Sequence, residues 1–324
     1  MPAERKSRVP IDRPLEFEPH YVEKPWGGGR LGRILGRTLP PGTRIGESWE
    51  ISGHPGRVSR LPSGPALDEI LVEVAEAVVG RPWAAGDPFP LLFKFLDAGE
   101  NLSVQVHPGA PTAGGGLPKD EAWYILDAEP GAVLYLGFGR DVSAEEGRAR
   151  AADGTLPEVL RAIEPRPGDF FHVSPGTVHA IGAGVVLAEI QQVSDTTYRL
   201  YDWGRTDREG RPRALHLEES IRHSHLSPED AARYSPRPRP VPGGERLLEG
   251  ANFRVDRLRP GGRRVSLVGS GRFRILTVLA GRGRLSWAAG DVEISAGRTL
   301  LLPAILGEVE LRDDGGLLAL AFEE

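Results

Sequence analysis

The sequence contains no cysteine, a single methionine and only four lysines among its 40 basic residues. Without cysteine, disulfide bonds, thiolate catalysis and zinc sites with sulfur ligands are excluded. No apolar run approaches the roughly 18 residues that cross a bilayer, and the polar start of the chain has no apolar signal segment, so we expect a cytoplasmic protein. The formal charge of −5 is small for 324 residues and predicts no general attraction to nucleic acid or to an anionic membrane.

The scarcity of lysine makes the remaining lysines informative. Lys94 lies in the apolar segment 91–96, and Lys119 lies two residues before Glu121. A compact ammonium that binds a phosphate or changes its protonation is not replaceable by a planar guanidinium. An unpaired charge in an apolar strand would also be costly. We therefore predict functional roles for Lys94 and Lys119, whereas Lys6 is interpreted as a lysine that is present by chance.

Four polar residues form a pattern that is typical of a metal site. Because a strand repeats every two residues, Ser103, Gln105 and His107 are predicted to project from one face. Glu121 begins the next predicted strand, and a tight turn precedes His179. Two imidazoles, a carboxylate and an amide oxygen favour Zn²⁺ and also suit Mn²⁺, Fe²⁺ or Co²⁺.

The remaining histidines have a plainer interpretation, as surface residues or hydrogen-bonded core residues, because the sequence offers them no comparable partners. This interpretation applies to His20, His54, His172, His216, His223 and His225.

Short strand-like runs separated by glycine and proline indicate a mainly β protein of the sandwich or barrel type. Helices are predicted over residues 66–80, 143–163, 217–222 and 227–234. The proline-rich segment 235–244 is predicted to be a linker. It divides the chain into a metal-binding domain, 1–234, and a second domain, 245–324.

The second domain is interpreted as a degenerate repeat of the first. Residues 274–281 can be aligned with 121–128, and residues 296–307 with 168–179. In this alignment Arg274 replaces Glu121 and Gly307 replaces His179, so the second domain is predicted to keep the scaffold and to lack the metal ligands.

Several segments resemble type I mannose-6-phosphate isomerases in their short bacterial form. The resemblance covers roughly residues 15–220 and is carried by Lys24-Pro-Trp-Gly-Gly28, Gly46-Glu-Ser-Trp-Glu-Ile-Ser52, Pro90-Leu-Leu-Phe-Lys-Phe-Leu96, Leu102-Ser-Val-Gln-Val-His-Pro108, Lys119-Asp-Glu-Ala-Trp-Tyr124, Ser174-Pro-Gly-Thr-Val-His-Ala180 and Glu189-Ile-Gln-Gln-Val-Ser-Asp-Thr-Thr-Tyr-Arg-Leu-Tyr-Asp-Trp-Gly-Arg205. It implies a zinc-dependent cupin-type fold with one Zn²⁺ per chain, held by Gln105, His107, Glu121 and His179. With the repeat, it predicts two cupin-type (jelly-roll) β-barrels and a small helical portion.

The resemblance also implies an activity, the interconversion of mannose 6-phosphate and fructose 6-phosphate through an enediolate. A divalent ion would stabilise the enediolate charge, and an acid or base must reach C1 and C2. Glu189 and Lys119 are the candidates for that group, and the choice between them stays open. Ser103 and Lys94 are expected to bind substrate.

Arg199 has two interpretations: it holds the enediolate or the phosphate, as the resemblance implies, or it forms an ion pair with an acid such as Asp195. Two alternatives to the isomerase also stay open. One is another cupin metalloenzyme, such as an oxygenase, a decarboxylase or an isomerase of another sugar phosphate. The other is a non-catalytic sugar-phosphate sensor. The large helical insertion of longer family members is missing, so specificity that depends on it is not carried over.

Overall fold

β-Strands dominate the computed structural model, which describes residues 10–206, 209–228, 231–267 and 270–324. The mainly β class predicted from the sequence is confirmed. The strands are β1 His20–Gly28, β2 Ile45–Ile51, β3 Leu91–Ala98, β4 Val104–Val106, β5 Glu121–Ala128, β6 Leu134–Phe138, β7 Leu160–Ile163, β8 Phe170–Val173, β9 His179–Ile181, β10 Val185–Gln192, β11 Tyr198–Tyr201, β12 Arg239–Val241, β13 Gly244–Glu249, β14 Arg254–Leu258, β15 Arg264–Leu267, β16 Arg274–Trp287, β17 Gly290–Ser295, β18 Thr299–Leu302 and β19 Val309–Glu323.

The helices are short. They are α1 Leu31–Leu35, α2 Leu67–Val79, α3 Ala144–Asp153, α4 Leu217–His223 and α5 Ala231–Tyr234, with two turns of 3₁₀ helix at Leu156–Val159 and Ala304–Leu306. The predicted helices at 66–80 and 217–222 are confirmed as α2 and α4. Within the predicted helix 227–234 the described part is helical over 231–234, and residues 229–230 lie outside the described residues. No helix in the described ranges has the length and apolar character needed to span a membrane.

The prediction of one continuous helix over 143–163 is wrong. The helix α3 begins correctly, since the Ser143 hydroxyl accepts a hydrogen bond from the Glu146 N–H at 3.0 Å. It ends at Gly154, which has a φ of 84° that favours glycine. Pro157 then opens the 3₁₀ turn, and the chain leaves as the strand β7.

The described strands form three sheets. Sheet I has the order β1-β2-β3-β10-β5-β8, sheet II the order β11-β4-β9-β6-β7, and sheet III the order β12-β13-β14-β19-β16-β17 with β15 and β18 added at β19 and β16. As far as the described residues go, the first and last strands in each of these orders do not pair with each other. The hydrogen-bonded pairing of the described strands therefore does not show closed barrels.

Sheet I lies between two hydrophobic layers because its side chains alternate. On β10, Val186 and Ala188 face a cluster that includes helix α2 and sheet III. Leu187 faces the opposite cluster, which packs against sheet II. Glu189 and Gln191 continue the face of Leu187 by the two-residue repeat, and both are buried. The space between sheets I and II is therefore apolar at one end and polar at the other.

Sheet III contains the segment that was predicted as a linker. Residues 239–241 form β12, an edge strand that pairs with β13. Edge strands tolerate proline because one side needs no ladder hydrogen bonds. The chain start also joins this sheet, since Leu15 and Leu301 exchange backbone hydrogen bonds at 2.8 Å. The first and last parts of the chain thus share one continuous core.

Candidate metal centre

Three predicted ligands meet between sheets I and II. Glu121 is the first residue of β5 in sheet I, and His179 is the first residue of β9 in sheet II. His107 directly follows β4, which is shorter than the strand predicted to carry Ser103, Gln105 and His107. One ligand atom from each of these residues lies within 4.8 Å of the other two. The three side chains are almost completely buried.

Main-chain oxygens orient both imidazole rings. His107 Nδ1 lies 2.8 Å from the carbonyl oxygen of Thr196, and His179 Nδ1 lies 2.9 Å from that of Thr177. A carbonyl only accepts, so each Nδ1 must carry the proton and donate it. Each Nε2 then presents a lone pair to the centre, which is the tautomer that metal-binding histidines adopt.

The Glu121 carboxylate completes a pocket in which lone pairs of three side chains converge. Its Oε1 lies 3.3 Å from His179 Nε2 and its Oε2 lies 3.5 Å from His107 Nε2. The Lys119 ammonium lies 2.9 Å from Oε2, whereas Oε1 is buried and accepts no hydrogen bond from any described residue. Lys119 lies close to Oε2 and to His107 Nε2, but no ammonium of a described residue lies between Oε1 and His179 Nε2, and buried acceptors that face one another are unfavourable unless a cation binds there. The residues present therefore fit a Zn²⁺ ion, for which two imidazoles and a carboxylate are common ligands.

The ionisation states also suit a metal. Burial raises the pKa of Glu121, but the Lys119 ammonium and the imidazoles outweigh it and hold that pKa well below its usual range. Burial lowers the pKa of His179 to about 3, against the opposing effect of Glu121. Burial and the charge of Lys119 lower the pKa of His107. At neutral pH all three residues are thus in the deprotonated form that binds metal.

Gln105 and Ser103 lie beside these three residues. Gln105 is the cross-strand partner of His179, and its Nε2 lies 3.2 Å from His179 Nε2. The Ser103 hydroxyl donates to Gln105 Oε1 at 3.3 Å. The amide oxygen and nitrogen of a glutamine are assigned from the hydrogen-bond network. For Gln105 to be a fourth ligand, its amide must turn its oxygen toward His179.

Lys119 contacts the centre directly. Its ammonium lies 2.9 Å from Glu121 Oε2 and 3.3 Å from His107 Nε2, and the side chain is buried. A positive charge here draws the carboxylate into the pocket and disfavours protonation of the imidazole.

Lys94 and Glu189 form a second buried pair on the same face of sheet I. Lys94 Nζ lies 2.7 Å from Glu189 Oε1, and Trp123 Nε1 donates to Glu189 Oε2 at 3.0 Å. Burial lowers the pKa of Lys94, but Glu189 and Glu47 outweigh it and raise the pKa above its usual range. Lys94 is therefore a permanent cation, and the Trp49 ring lies 5.5 Å from its ammonium.

Arg199 is a neighbour of the centre through the strand ladder. It is the cross-strand partner of Gln105 on β4, and its guanidinium donates to the Ala214 carbonyl at 2.8 Å. The alternative partner Asp195 instead lies 3.1 Å from His54 Nε2.

The Arg199 guanidinium lies in a positive environment. Burial and the charge of Arg213 lower its pKa, Arg205 acts in the same direction, and Asp202 opposes them. The Arg199 Nε is buried and has no hydrogen-bond partner among the residues that the structure describes. A cation that is repelled by its neighbours and has an unused donor is suited to an anionic ligand.

Four contributors to the site were not predicted. Glu47 accepts from Trp49 Nε1 at 2.8 Å and lies 3.1 Å from Lys24 Nζ, and Thr177 and Thr196 supply the carbonyl acceptors. Trp123 orients Glu189. A charged residue such as Glu47 in an otherwise buried strand indicates a functional or paired charge, so it could have been found from the sequence. Main-chain acceptors have no sequence signature.

The fold and this centre together define a metal-binding enzyme of the mainly β class, with ligands drawn from two facing sheets. The family model for the catalytic domain of type I phosphomannose isomerase matches residues 15–134. The chain is 37% identical over 315 residues to mannose-6-phosphate isomerase of Streptococcus mutans, covering 94% of this chain and 97% of the relative. It is 38% identical over 317 residues to mannose-6-phosphate isomerase ManA of Bacillus subtilis, covering 92% and 95%. The chain belongs to the mannose-6-phosphate isomerase family.

Solved structures agree with this assignment. The crystal structure of mannose 6-phosphate isomerase from Bacillus subtilis is similar with a TM-score of 0.85 at 31% identity, covering 96% of this chain and 99% of that chain. A zinc-bound mannose 6-phosphate isomerase shares the fold with a TM-score of 0.78 at 18% identity, covering 96% and 99%.

Proposed function

We propose that this chain interconverts mannose 6-phosphate and fructose 6-phosphate through an enediolate, with one Zn²⁺ held by His107, Glu121, His179 and Gln105. The observation that carries the proposal is the buried pocket in which two Nε2 atoms and two carboxylate oxygens face one another, with Lys119 beside Oε2 and no hydrogen-bond donor to Oε1 among the described residues. When bound, the ion supplies stabilisation of negative charge that develops on the substrate oxygens. Family membership connects this chemistry to the hexose phosphates.

The protein residues divide into three roles. Arg199, whose Nε donor is unused within the described part of the chain, binds the enediolate or the phosphate. Ser103 and Lys94 bind the substrate, since a hydroxyl and a permanent ammonium suit sugar oxygens and anions. Glu189 and Lys119 are the groups that move the proton between C1 and C2. Glu189 is held at both oxygens, by Lys94 and by Trp123, which fixes its position relative to the metal centre.

For the architecture, we propose that sheets I and II form one cupin-type (jelly-roll) barrel, residues 1–234, and sheet III a degenerate second one, residues 245–324. The pairing of β5 with β8 and β10 resembles the pairing of β16 with β18 and β19. Arg274, at the start of β16, forms an ion pair with Glu323 at 3.3 Å. This pair replaces a metal ligand with a structural contact.

The test is an assay of the conversion of mannose 6-phosphate to fructose 6-phosphate by the purified protein, before and after zinc removal by a chelator. We expect activity that disappears with the metal and returns with it. Binding of the sugar phosphate without turnover would instead indicate the sensor. Turnover of a different sugar phosphate alone would indicate another cupin enzyme.

The roles of the acid–base residues are tested by Glu189→Gln and Lys119→Met, which should each lower kcat by at least about a hundredfold. Glu50→Gln is the matched control. Glu50 is also a buried carboxylate in an ion pair, with Arg37 at 2.7 Å, but it does not contact the metal centre. Equal losses in all three variants would attribute the effect to folding and would contradict the assigned roles.

A further inference from the structure

Asp120 is a buried carboxylate between two residues of the metal centre. Lys119 and Glu121 turn their side chains to the centre, where they lie 2.9 Å apart, and Asp120 points to the other side of the chain. The Asp120 N–H donates to Gln192 Oε1 at 3.0 Å, and its carbonyl accepts from the Gln192 N–H at 3.1 Å. Both main-chain polar groups of Asp120 are therefore fixed by one residue at the end of β10.

The Asp120 carboxylate is held equally closely. His172 Nε2 lies 2.7 Å from Oδ1, and Asn252 Nδ2 donates to Oδ2 at 3.0 Å. Asp120 is 3% exposed. Both carboxylate oxygens and both main-chain groups of this residue are thus satisfied, an arrangement that leaves the chain at 119–121 little freedom to move.

Asn252 comes from the far part of the sequence, 132 residues from Asp120. It lies in the turn between β13 and β14, which is closed by a hydrogen bond from the Gly250 N–H to the Phe253 carbonyl at 3.0 Å. Phe253 is buried in the core shared by sheets I and III. The position of Asn252 is therefore set by sheet III and not by the metal centre.

We propose that Asn252 is a positioning residue for the metal centre. By holding Asp120, it fixes the short segment of chain that presents Lys119 and Glu121, and so gives sheet III a direct effect on metal affinity and on the proton-transfer geometry. This inference rests on the proposed function. Residues that orient metal ligands from behind typically change metal affinity by about 10- to 100-fold when they are replaced.

The main test is Asn252→Asp, which replaces the donor with a second carboxylate against Asp120. We expect zinc to be lost to a competing chelator about tenfold faster, with kcat falling more than KM changes. Adding Asp120→Asn to this variant restores a donor and an acceptor across the contact, so zinc retention and kcat should return toward wild type. A merely structural role for Asn252 would lower the melting temperature without this specific rescue.

The control is Thr277→Val, which removes the buried contact of Thr277 Oγ1 with Thr299 Oγ1 at 2.9 Å in sheet III. It should lower stability and leave zinc retention unchanged. Asn252→Leu serves as the second test if Asn252→Asp does not fold. Wild-type zinc retention and kcat in both Asn252 variants would overturn the inference while the isomerase assignment stands. Failure of the wild-type protein to bind zinc or to isomerise would overturn both.

Discussion

The buried histidine His179 makes the metal-free protein sensitive to mild acid. Its pKa falls from 6.5 to about 3 on folding because burial disfavours the charged imidazolium. Below pH 6.5 the unfolded chain binds a proton at this residue that the folded protein does not bind. The free energy of unfolding therefore decreases as the pH falls from 6.5 toward 3, and the full stability is present above 6.5.

The size of the effect follows from the width of this window. A pH of 5 is about 1.5 units below the pKa of the histidine in the unfolded chain, and each pH unit in this range corresponds to about 1.36 kcal/mol of the free energy of unfolding. His179 should therefore reduce the free energy of unfolding by about 2 kcal/mol between pH 7 and pH 5. His107, whose pKa is also lowered by burial, adds to the loss in the same direction.

Urea unfolding of the chelator-treated protein at pH 7 and pH 5 measures this difference. In His179→Gln the loss between the two pH values should be smaller than in the wild type by about 2 kcal/mol. His20→Gln is the control, because His20 is exposed at the start of β1 and its removal should leave the wild-type difference intact. Identical pH dependence in the wild type and in His179→Gln would refute the reasoning.

Three substitutions test the site more directly. Glu121→Ala should abolish zinc binding and activity while sheet III stays folded; elemental analysis that finds full zinc would contradict the ligand assignment. Lys119→Arg should lower kcat/KM on the order of a hundredfold, because the larger guanidinium displaces Glu121, whereas Lys6→Arg, at a lysine outside the described residues, should leave kcat/KM unchanged. Trp123→Phe removes the donor to Glu189 and should lower kcat by about fivefold, the effect of one hydrogen bond of about 1 kcal/mol; an unchanged kcat would show that Glu189 needs no such support.

The residues that meet in the candidate metal site could be predicted to lie together because their chemistry and spacing are written in the sequence, and their role as ligands stays a prediction. The two-residue repeat places Gln105 and His107 on one face, and glycine and proline mark the turn before His179. What could not be predicted is how each ring is oriented. The acceptors are carbonyls of Thr177 and Thr196, and every residue has a carbonyl, so only the fold decides which one lies within reach.

The wrong helix boundary has a different origin. The run 143–163 contains enough helix-forming residues to extend past residue 153, but Gly154 and Pro157 are both helix-ending signals. The sequence therefore contains the local signals that end the helix, but the longer run of helix-forming residues dominated the prediction. The pairing of His172 with Asp120 was not predictable in the same way, since it depends on the register of β8 against β5.

The use of main-chain acceptors behind both imidazole rings of the candidate metal site has an evolutionary consequence. Substitutions at positions 177 and 196 exchange a side chain and leave the carbonyl in place, so drift there does not by itself turn the imidazoles away from the ion. The candidate site can thus keep its geometry while nearby sequence diverges, and its loss requires a change in the three side chains or in the path of the backbone.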